Sequence, residues 1–424
     1  MLLSNLRKLQ YIILFILLTS FSGYAQDDGL SKWAFKGYLK NMSTFSWTPY
    51  LGDTLWYDNL THNRLNLAWY PNDEFSVYIE MRNRLFVGSS VKNFDNYGEL
   101  IDTNNDFFNL SYTYTTDNGN AVLNMMFDRL YVQWLKNDWE VKLGRQRINW
   151  GVNLAWNPND WFNAYSFFDF DYEERSGSDA VRVTYYTGVA SSVEVAAKIA
   201  DTPDDFVAAG MYKMNKFNYD IQLLGGFAQG DVSLGTGWAG NLGLASLKGE
   251  LTYFIPVVDT DANTNFLFSP LDMAFVLDAN GNKIKVSEKY SSMFLAAISV
   301  DYSFKNSLYL NGSIMYSSLG DYEANLFGSA LEQQVGTFTV RDLSPYPWSS
   351  FVQASYQFTP LLFGGGAVMF YPGTNNLFIN PMLTYSIVTN LDIDLVGQLF
   401  YGDNQNGSYD AISKSVFARV KWSF

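Results

Sequence analysis

The sequence predicts an all-β chain, a transmembrane antiparallel up-and-down β-barrel of about 18 strands, with 16 strands as the alternative count. Three observations predict it: an export signal at the N-terminus, segments in which apolar and polar residues alternate, and a last strand that ends in an aromatic residue. Barrel strands alternate lipid-facing and lumen-facing side chains, so their hydropathy averages out. The mean hydropathy is indeed −0.09 although 17% of the residues are aromatic.

The first 25 residues have the pattern of an export signal. Arg7 and Lys8 form a basic region, Tyr11–Phe21 is an apolar run, and Gly23 with Ala25 matches a small-x-small cleavage site. We therefore expect residues 1–25 to be a signal peptide and residues 26–424 to form a single outer-membrane barrel domain. The chain has no cysteine, so it has no disulfide and no lipid-modified cysteine.

Charge and composition exclude several classes of function. The formal net charge of −14 argues against nucleic-acid binding, which needs a basic face. One histidine and no cysteine disfavour zinc and haem, so no metal and no cofactor are expected. After the signal, no apolar run approaches the roughly 20 residues that a spanning helix needs.

The strand segments alternate with period two. In "FSVYIEMRNRLF", the stretch 75–86, one face is apolar and the other carries Glu80, Arg82 and Arg84. Short turns and long loops alternate between such segments, as in barrels with short periplasmic turns and long extracellular loops. We predict long loops near 47–61, 87–126, 148–178, 256–287, 318–346 and 403–412. We predict strand starts near residues 33, 62, 75, 127, 138, 179, 191, 206, 216, 231, 246, 289, 307, 347, 361, 376, 391 and 413.

The C-terminal stretch "SVFARVKWSF" places Val420, Trp422 and Phe424 on one face of a strand. It resembles the C-terminal signature of outer-membrane barrels, which the barrel assembly machinery recognises. The resemblance implies that these three residues are an assembly signal. The expected partners are therefore that machinery, outer-membrane lipid and lipopolysaccharide.

Charged residues on the alternating segments are expected to face the lumen. A lysine or arginine that faces lipid at the bilayer midplane costs about 2–4 kcal/mol. Two interpretations stay open: the charges tune which solutes pass, or they form salt-bridged networks that stiffen the wall. The predicted lumen charges are Glu80, Arg82, Arg84, Arg129, Lys142, Arg182, Glu194 and Lys198.

The segment "LGRQRINWGVNLAWNPNDWFN" (143–163) joins a strand end to a loop of about 30 residues. Its glycines indicate a bulge and "NPND" indicates a turn. We expect the loop 148–178 to fold inward as a constriction, with Arg145, Gln146, Arg147 and Trp150 at its root. The aromatic residues of the loop either pack in its core, which we favour, or stack on sugar rings.

No catalytic residue is predicted, and the chain is not expected to be an enzyme. His62, the one histidine, is expected to be a polar residue at the outer rim, where a loop meets a strand. The loop carboxylates Asp169, Asp171, Glu173 and Glu174 have the residue type for acid–base work on a sugar. Their spacing in the sequence does not place any two of them face to face.

"GRQRINWG" followed by "NPND" is similar to the GRQ…WG…NP motif of a group of uncharacterised Gram-negative outer-membrane barrels. It resembles, more distantly, the alginate-export barrels. The match covers residues 139–186 and implies a porin-like barrel of 16 to 18 strands. It fixes no substrate, because the lumen charges have mixed signs. The "YAQ" junction and the asparagine and tyrosine content resemble Bacteroidetes proteins.

The sequence thus favours a porin-like channel for the passive transport of small hydrophilic solutes, with oligosaccharides as one candidate class. The alternative is a barrel sealed by its loops that serves as a structural or accessory subunit of an outer-membrane envelope complex. The sequence does not reveal an oligomeric state or a protein partner.

Overall fold

The computed structural model describes residues 31–49, 54–102, 106–171, 173–200, 205–257, 275–277, 283–285, 292–324, 326–335, 338–403 and 408–424. The predicted signal peptide lies outside the described residues.

Eighteen long strands form one closed antiparallel barrel, which confirms the predicted fold class and strand number. The first and last strands close the ring, with Tyr38 opposite Ser423 and Trp47 opposite Lys414. The short strands β4, β13 and β14 are additional to the ring. In chain order the strands are β1 (Trp33–Trp47), β2 (Leu55–Trp69), β3 (Phe75–Gly88), β4 (Ser111–Thr115), β5 (Ala121–Lys136), β6 (Trp139–Gln146), β7 (Ser178–Gly188), β8 (Ser191–Lys198), β9 (Val207–Lys216), β10 (Tyr219–Ala228), β11 (Asp231–Leu242), β12 (Ala245–Pro256), β13 (Phe275–Leu277), β14 (Lys283–Lys285), β15 (Met293–Ser303), β16 (Leu308–Ser317), β17 (Trp348–Thr359), β18 (Leu362–Phe370), β19 (Leu377–Val388), β20 (Leu391–Asp403) and β21 (Tyr409–Ser423).

Two strands begin clearly earlier than the sequence predicted. β2 begins at Leu55 rather than near 62, because aromatic pairs such as Phe45 with Tyr57 extend the β1–β2 ladder outward. The predicted loop 47–61 is therefore mostly strand. β5 begins at Ala121 rather than near 127, because its outer end pairs with β3 on one side and β4 on the other.

The connections differ between the two ends of the barrel. One end has short turns, and the other has the long loops. The loop after β3 contains α1 (Ser89–Asn93), α2 (Tyr97–Leu100) and β4, and the loop after β16 contains α3 (Leu326–Val335) and a short 3-10 helix (Val340–Asp342). One connection at the long-loop end is short, since only residues 229 and 230 join β10 to β11. No helix in the described part of the chain is long and apolar enough to cross a membrane.

The inward face divides into an apolar arc and a charged arc. From β7 round to β20, the inward side chains include Phe254, Met293, Phe351, Phe378 and Phe400, which form one buried cluster with residues of the loop between β6 and β7. On β20, β21, β1, β2, β3 and β5 the buried inward side chains are largely charged. The buried charged set is Asp394, Lys40, Arg64, Arg82, Asp128 and Arg129, with half-buried Arg419 and Glu80 beside it.

Candidate functional site

The strand β6 leaves the barrel wall after only 8 residues. Gly144 makes this departure, since its φ of +116° is a conformation that favours glycine. A Cβ at this position would lie 2.3 Å from the carbonyl oxygen of Leu130. Beyond this point β4 takes the place of β6 as the neighbour of β5, with Ser111 opposite Met126. The chain after Gln146 is therefore released into the lumen.

Arg145 lies at the point where β6 leaves the wall, and only 2% of its surface is exposed. Its Nε and Nη2 donate to the two carboxylate oxygens of Asp179 on β7, at 2.9 and 2.7 Å. The guanidinium also donates to the carbonyl of Phe108, whose own N–H donates to Asp179 at 2.8 Å. Arg145 thus ties β6, β7 and the segment 106–110 together, and Asp179 compensates its charge.

Four other predicted residues meet beside this joint. The indole N–H of Trp150 donates to Oε1 of Glu194 at 2.6 Å, and Arg182 donates to Oε2 of the same carboxylate at 2.5 Å. Gln146 donates to the carbonyl of Ala180 at 3.1 Å. The root of the loop is therefore fixed to β7 and β8.

The segment 147–177, which we call the inserted loop, crosses the lumen and contacts strands around the barrel. Its first part is held by Glu250, a fully buried carboxylate on β12. Glu250 accepts from the N–H groups of Val152 at 2.6 Å, Asn153 at 3.0 Å and Asn159 at 2.9 Å. These charge-assisted bonds anchor the inserted loop on the apolar arc, opposite the charged wall.

The second part of the inserted loop runs back toward the charged arc. The Phe168 ring packs edge to face on Phe378, with 4.9 Å between ring centroids. The side chain of Gln398 on β20 donates to the Phe168 carbonyl at 2.7 Å. Phe170 then packs on Phe417 of β21 at 4.8 Å. The chain is in this way brought alongside β20 and β21.

Asp171, Glu173 and Glu174, here called the acidic segment, face the charged wall. Asp171 lies 2.8 Å from Nζ of Lys40 and 3.0 Å from Arg419. Burial by itself raises the pKa of Asp171, but the neighbouring His62 and the charge of Lys40 hold that pKa below its ordinary value. The Asp171 carboxylate is therefore a stable counter-ion for the wall.

The other two carboxylates extend the same contact. Glu173 lies 2.7 Å from Nζ of Lys421. Glu174 accepts from the hydroxyl of Tyr38 at 3.1 Å and lies 3.6 Å from Nε of Arg64. Three loop acids are therefore paired with wall cations on β21, β1 and β2.

The sequence reasoning did not single out Lys40, Arg64, Asp128 or Arg419. Lys40 and Arg64 do occupy inward positions of the period-two pattern, and that signal was available. Arg64 is fully buried, lies 2.6 Å from Glu80 and pairs with Asp128. The acidic segment lies more than 100 residues away in the chain, and the period-two pattern did not predict its contact with Lys40 and Arg64.

The remaining predicted lumen residues also have partners, one by one. Arg82 lies 3.6 Å from Asp128, Arg84 donates to Asn124 at 2.7 Å, Arg129 donates to the Glu174 carbonyl at 2.7 Å, Lys142 lies 2.8 Å from Glu140, Lys198 lies 2.8 Å from Asp106, and the Arg147 guanidinium lies 6.0 Å from the Tyr165 ring centroid. The C-terminal residues Val420 and Trp422 lie on the outward face of β21, while the Phe424 carbonyl accepts from Gly37 at 2.9 Å.

Two expectations about individual side chains change. His62 does not lie at the rim; it lies within β2, is 1% exposed, and has its ring 5.3 Å from that of Tyr38. The reason is the earlier start of β2, which places position 62 inside the wall. The loop aromatics pack in its core as favoured, since Trp150, Trp156 and Trp161 are at most 4% exposed.

Comparison with known proteins gives a fold likeness only. No protein-family model matches the sequence, and no significant match exists among curated proteins. Among solved structures, the chain is similar to Pseudomonas aeruginosa OccK8 (OprE), with a TM-score of 0.52, 10% identity, and coverage of 92% of this chain and 98% of that one. It is also similar to OccK11 (OpdR) of that organism (TM-score 0.50, 10% identity, coverage 92% and 96%) and to Acinetobacter baumannii OccAB2 (0.50, 9%, 92% and 98%).

These neighbours are outer-membrane porins of the Occ and Opd group. At such low identity the likeness concerns the fold, which extends over nearly the whole of both chains. The chain therefore has the fold of an integral outer-membrane β-barrel.

Proposed function

We propose that this protein is a porin-like channel for the passive transport of small hydrophilic solutes. The observation that carries the proposal is the inserted loop, whose acidic segment is paired with lysine and arginine side chains of the charged wall. Charged groups of both signs that line one side of a constriction favour passage of hydrated polar solutes over apolar ones. The inserted loop is proposed as the constriction.

The solute passage is proposed to follow the charged arc. On the apolar arc, the inserted loop packs tightly against the wall through Trp156, Trp161 and Phe254. On the charged arc the contacts of the acidic segment are ion pairs, such as Glu173 with Lys421. Water and small solutes compete for such contacts far better than for an apolar core.

A loop-sealed barrel that serves as an accessory subunit is the second candidate. The tight apolar packing of the inserted loop on β12 and β17 favours it. Oligosaccharides remain a proposed solute class, although the loop aromatics that would stack on sugar rings are buried. We also propose membership of the GRQ…WG…NP group of Gram-negative outer-membrane barrels, on the match over residues 139–186, an origin in Bacteroidetes, and an assembly-signal role for Val420, Trp422 and Phe424.

Solute flux into proteoliposomes tests the proposal. Purified folded protein is expected to admit neutral sugars at rates that fall with size from a pentose to a tetrasaccharide. No flux from wild-type protein together with flux from Glu250→Ala, which removes the anchor of the inserted loop, would support the loop-sealed alternative. No flux from either protein would contradict both the open channel and a pore that the inserted loop closes.

A further inference from the structure

A group of uncharged polar side chains lies on the outward face of β1, β2 and β3. Strand residues two apart share a face, and on β2 His62 and Arg64 point into the lumen, so positions 59, 61 and 63 face outward. The register of β1 and β3 against β2 then places their odd-numbered neighbours on the same outward face. We call this group the polar patch: Asn41, Ser43, Asn59, Thr61, Asn63 and Asn83.

The side chains of the polar patch are hydrogen-bonded to one another. Asn41 and Asn59 exchange amide hydrogen bonds at 3.0 and 3.1 Å, and Asn41 also donates to Thr61 at 3.0 Å. Asn83 donates to Asn63 at 3.2 Å. None of the six residues carries a charge. The polar patch thus consists of two neighbouring hydrogen-bonded groups, Asn41 with Ser43, Asn59 and Thr61, and Asn63 with Asn83.

Apolar residues lie both below and above the polar patch on the same face. Below it are Leu39, Leu65 and Leu67, and above it are the partly exposed rings of Phe45 and Tyr57. On β16, β17 and β18, which are four to six strands from β1 around the ring, the outward residues Ile314, Val352 and Val368 are apolar and exposed. The polar patch therefore interrupts an apolar outward surface on β1, β2 and β3.

The geometry of the strand places the polar patch within the membrane belt. From Trp33 to Leu39 the outward residues are apolar or glycine, and six steps of about 3.3 Å cover about 20 Å along the strand. At a strand tilt of about 40° this is about 15 Å along the membrane normal, whereas the apolar band of an outer-membrane barrel is about 25 Å tall. The remaining height of the apolar band therefore includes Asn41 and its neighbours.

Contact with hydrocarbon is costly for this surface. An amide without full hydrogen bonding in an apolar medium costs a few kcal/mol, and Asn41 is exposed on the outward face. Amides and hydroxyls both donate and accept, so a second copy of the same surface satisfies the groups that remain. An uncharged surface also meets its own copy without repulsion, as an isologous contact about a two-fold axis requires.

We propose that the polar patch is the contact surface of a homo-oligomer, in which it meets the polar patch of a second copy of this chain. The apolar residues above and below the polar patch extend the contact. Polar side chains act as such contacts between membrane-embedded segments elsewhere. The proposal concerns the outer face of the wall and is independent of the proposed transport function.

Single cysteines test the proposal directly, because the chain has none of its own. Asn41→Cys is placed on the polar patch, and Val352→Cys is the matched control on the outward face of β17, five strands from β1 around the ring. Each full-length protein is expressed in outer membranes, treated with copper phenanthroline or a short bis-maleimide, and run on non-reducing gels. Heat-modifiable migration of each variant checks that it has folded. Native mass spectrometry of the wild type counts the chains.

The expected result is a band of two chains for Asn41→Cys at several times the yield for Val352→Cys, and a wild-type mass of two chains. The double variant Asn41→Asp, Thr61→Asp is expected to release folded monomers through like-charge repulsion. Equal cross-linking of the two cysteine variants, a folded wild-type monomer, or an Asn41→Cys adduct with a different protein would overturn the proposal. A polar patch that retains bound lipid and forms no protein adduct would overturn it as well.

Discussion

Removal of the acidic segment's charge is expected to make the pore more selective for anions. The perturbation is the triple substitution Asp171→Asn, Glu173→Gln and Glu174→Gln. Each replacement keeps the size of the side chain and removes the counter-ion of a wall cation such as Lys40 or Lys421. All three acids lie along the passage, where they are paired with cations of β1, β2 and β21. Their replacement by amides removes three negative charges, so the charge along the passage becomes three units more positive.

The expected magnitude follows from Coulomb's law with screening. A unit charge about 9 Å from a passing ion in water contributes about 0.5 kcal/mol. Screening at 0.1 M salt, where the Debye length is about 10 Å, reduces this to about 0.2 kcal/mol. Three charges then give about 0.6 kcal/mol for each ion, in favour of chloride and against potassium, so the permeability ratio of chloride to potassium is expected to rise roughly 7- to 8-fold. At 1 M salt the change is expected to vanish, because the Debye length is about 3 Å.

The assay is the reversal potential across a planar bilayer in a salt gradient near 0.1 M. Glu99→Gln with Glu323→Gln, two exposed acids of the outer loops, is the matched control and is expected to change little. An unchanged reversal potential in the triple variant would refute the placement of the passage along the charged arc. Because the pKa of Asp171 is held below its ordinary value, the wild-type ion pair is expected to persist on acidification and to fail only as the pH falls through that lowered pKa.

Three further substitutions have expected outcomes. Arg145→Ala leaves Asp179 buried without its partner and is expected to lower the free energy of unfolding by about 3–5 kcal/mol, measured by urea titration. The double variant Arg145→Ala, Asp179→Ala is expected to lose less stability than Arg145→Ala alone. An equal or greater loss in the double variant would contradict the pairing. Glu250→Ala releases the inserted loop and is expected to give larger, noisier single-channel conductance than wild type; an unchanged trace would show that the anchor is dispensable. Gly144→Ala is expected to cost about 1–3 kcal/mol through its backbone conformation, whereas Gly312→Ala, with open space around its Cβ, is expected to be near neutral in the same titration.

The wall could be predicted from the sequence because period two determines it locally. A residue such as Arg82 faces the lumen because a charge that faces lipid is costly, and its neighbours in the strand confirm the phase. Val420 and Trp422 were placed on one face for the same reason, and the β21 register has them both outward. The predicted number of strands followed from the same rhythm.

The site could be predicted only in part, because its contacts join distant parts of the chain. The inward-folded loop after Gln146 was expected from its length and its aromatic residues. Local patterning could not show that Arg145 would turn to Asp179 at the point where β6 leaves the wall. Nor could it show that Glu250 would hold the loop backbone or that Asp171 would reach Lys40. Those pairings depend on the path of the inserted loop through the lumen.

Aromatic residues extend β2 beyond the start that the nearby turn-forming residues suggest. The stretch after Trp47 contains the turn formers Pro49, Gly52 and Asp53, which suggested a long loop. Cross-strand contacts between rings, such as those of Phe45 and Tyr57, keep the ladder intact almost to the turn. The resulting shift of β2 is what moved His62 from the rim into the lumen.

Single-channel recording of the pure folded protein in planar bilayers tests the central claim most directly. A lumen crossed by the inserted loop, with a charged passage beside it, predicts discrete and reproducible conductance steps from wild-type protein. It also predicts larger steps when the anchor of the loop is removed in Glu250→Ala. A silent bilayer containing protein that is demonstrably folded and inserted, for both wild type and Glu250→Ala, would contradict the account.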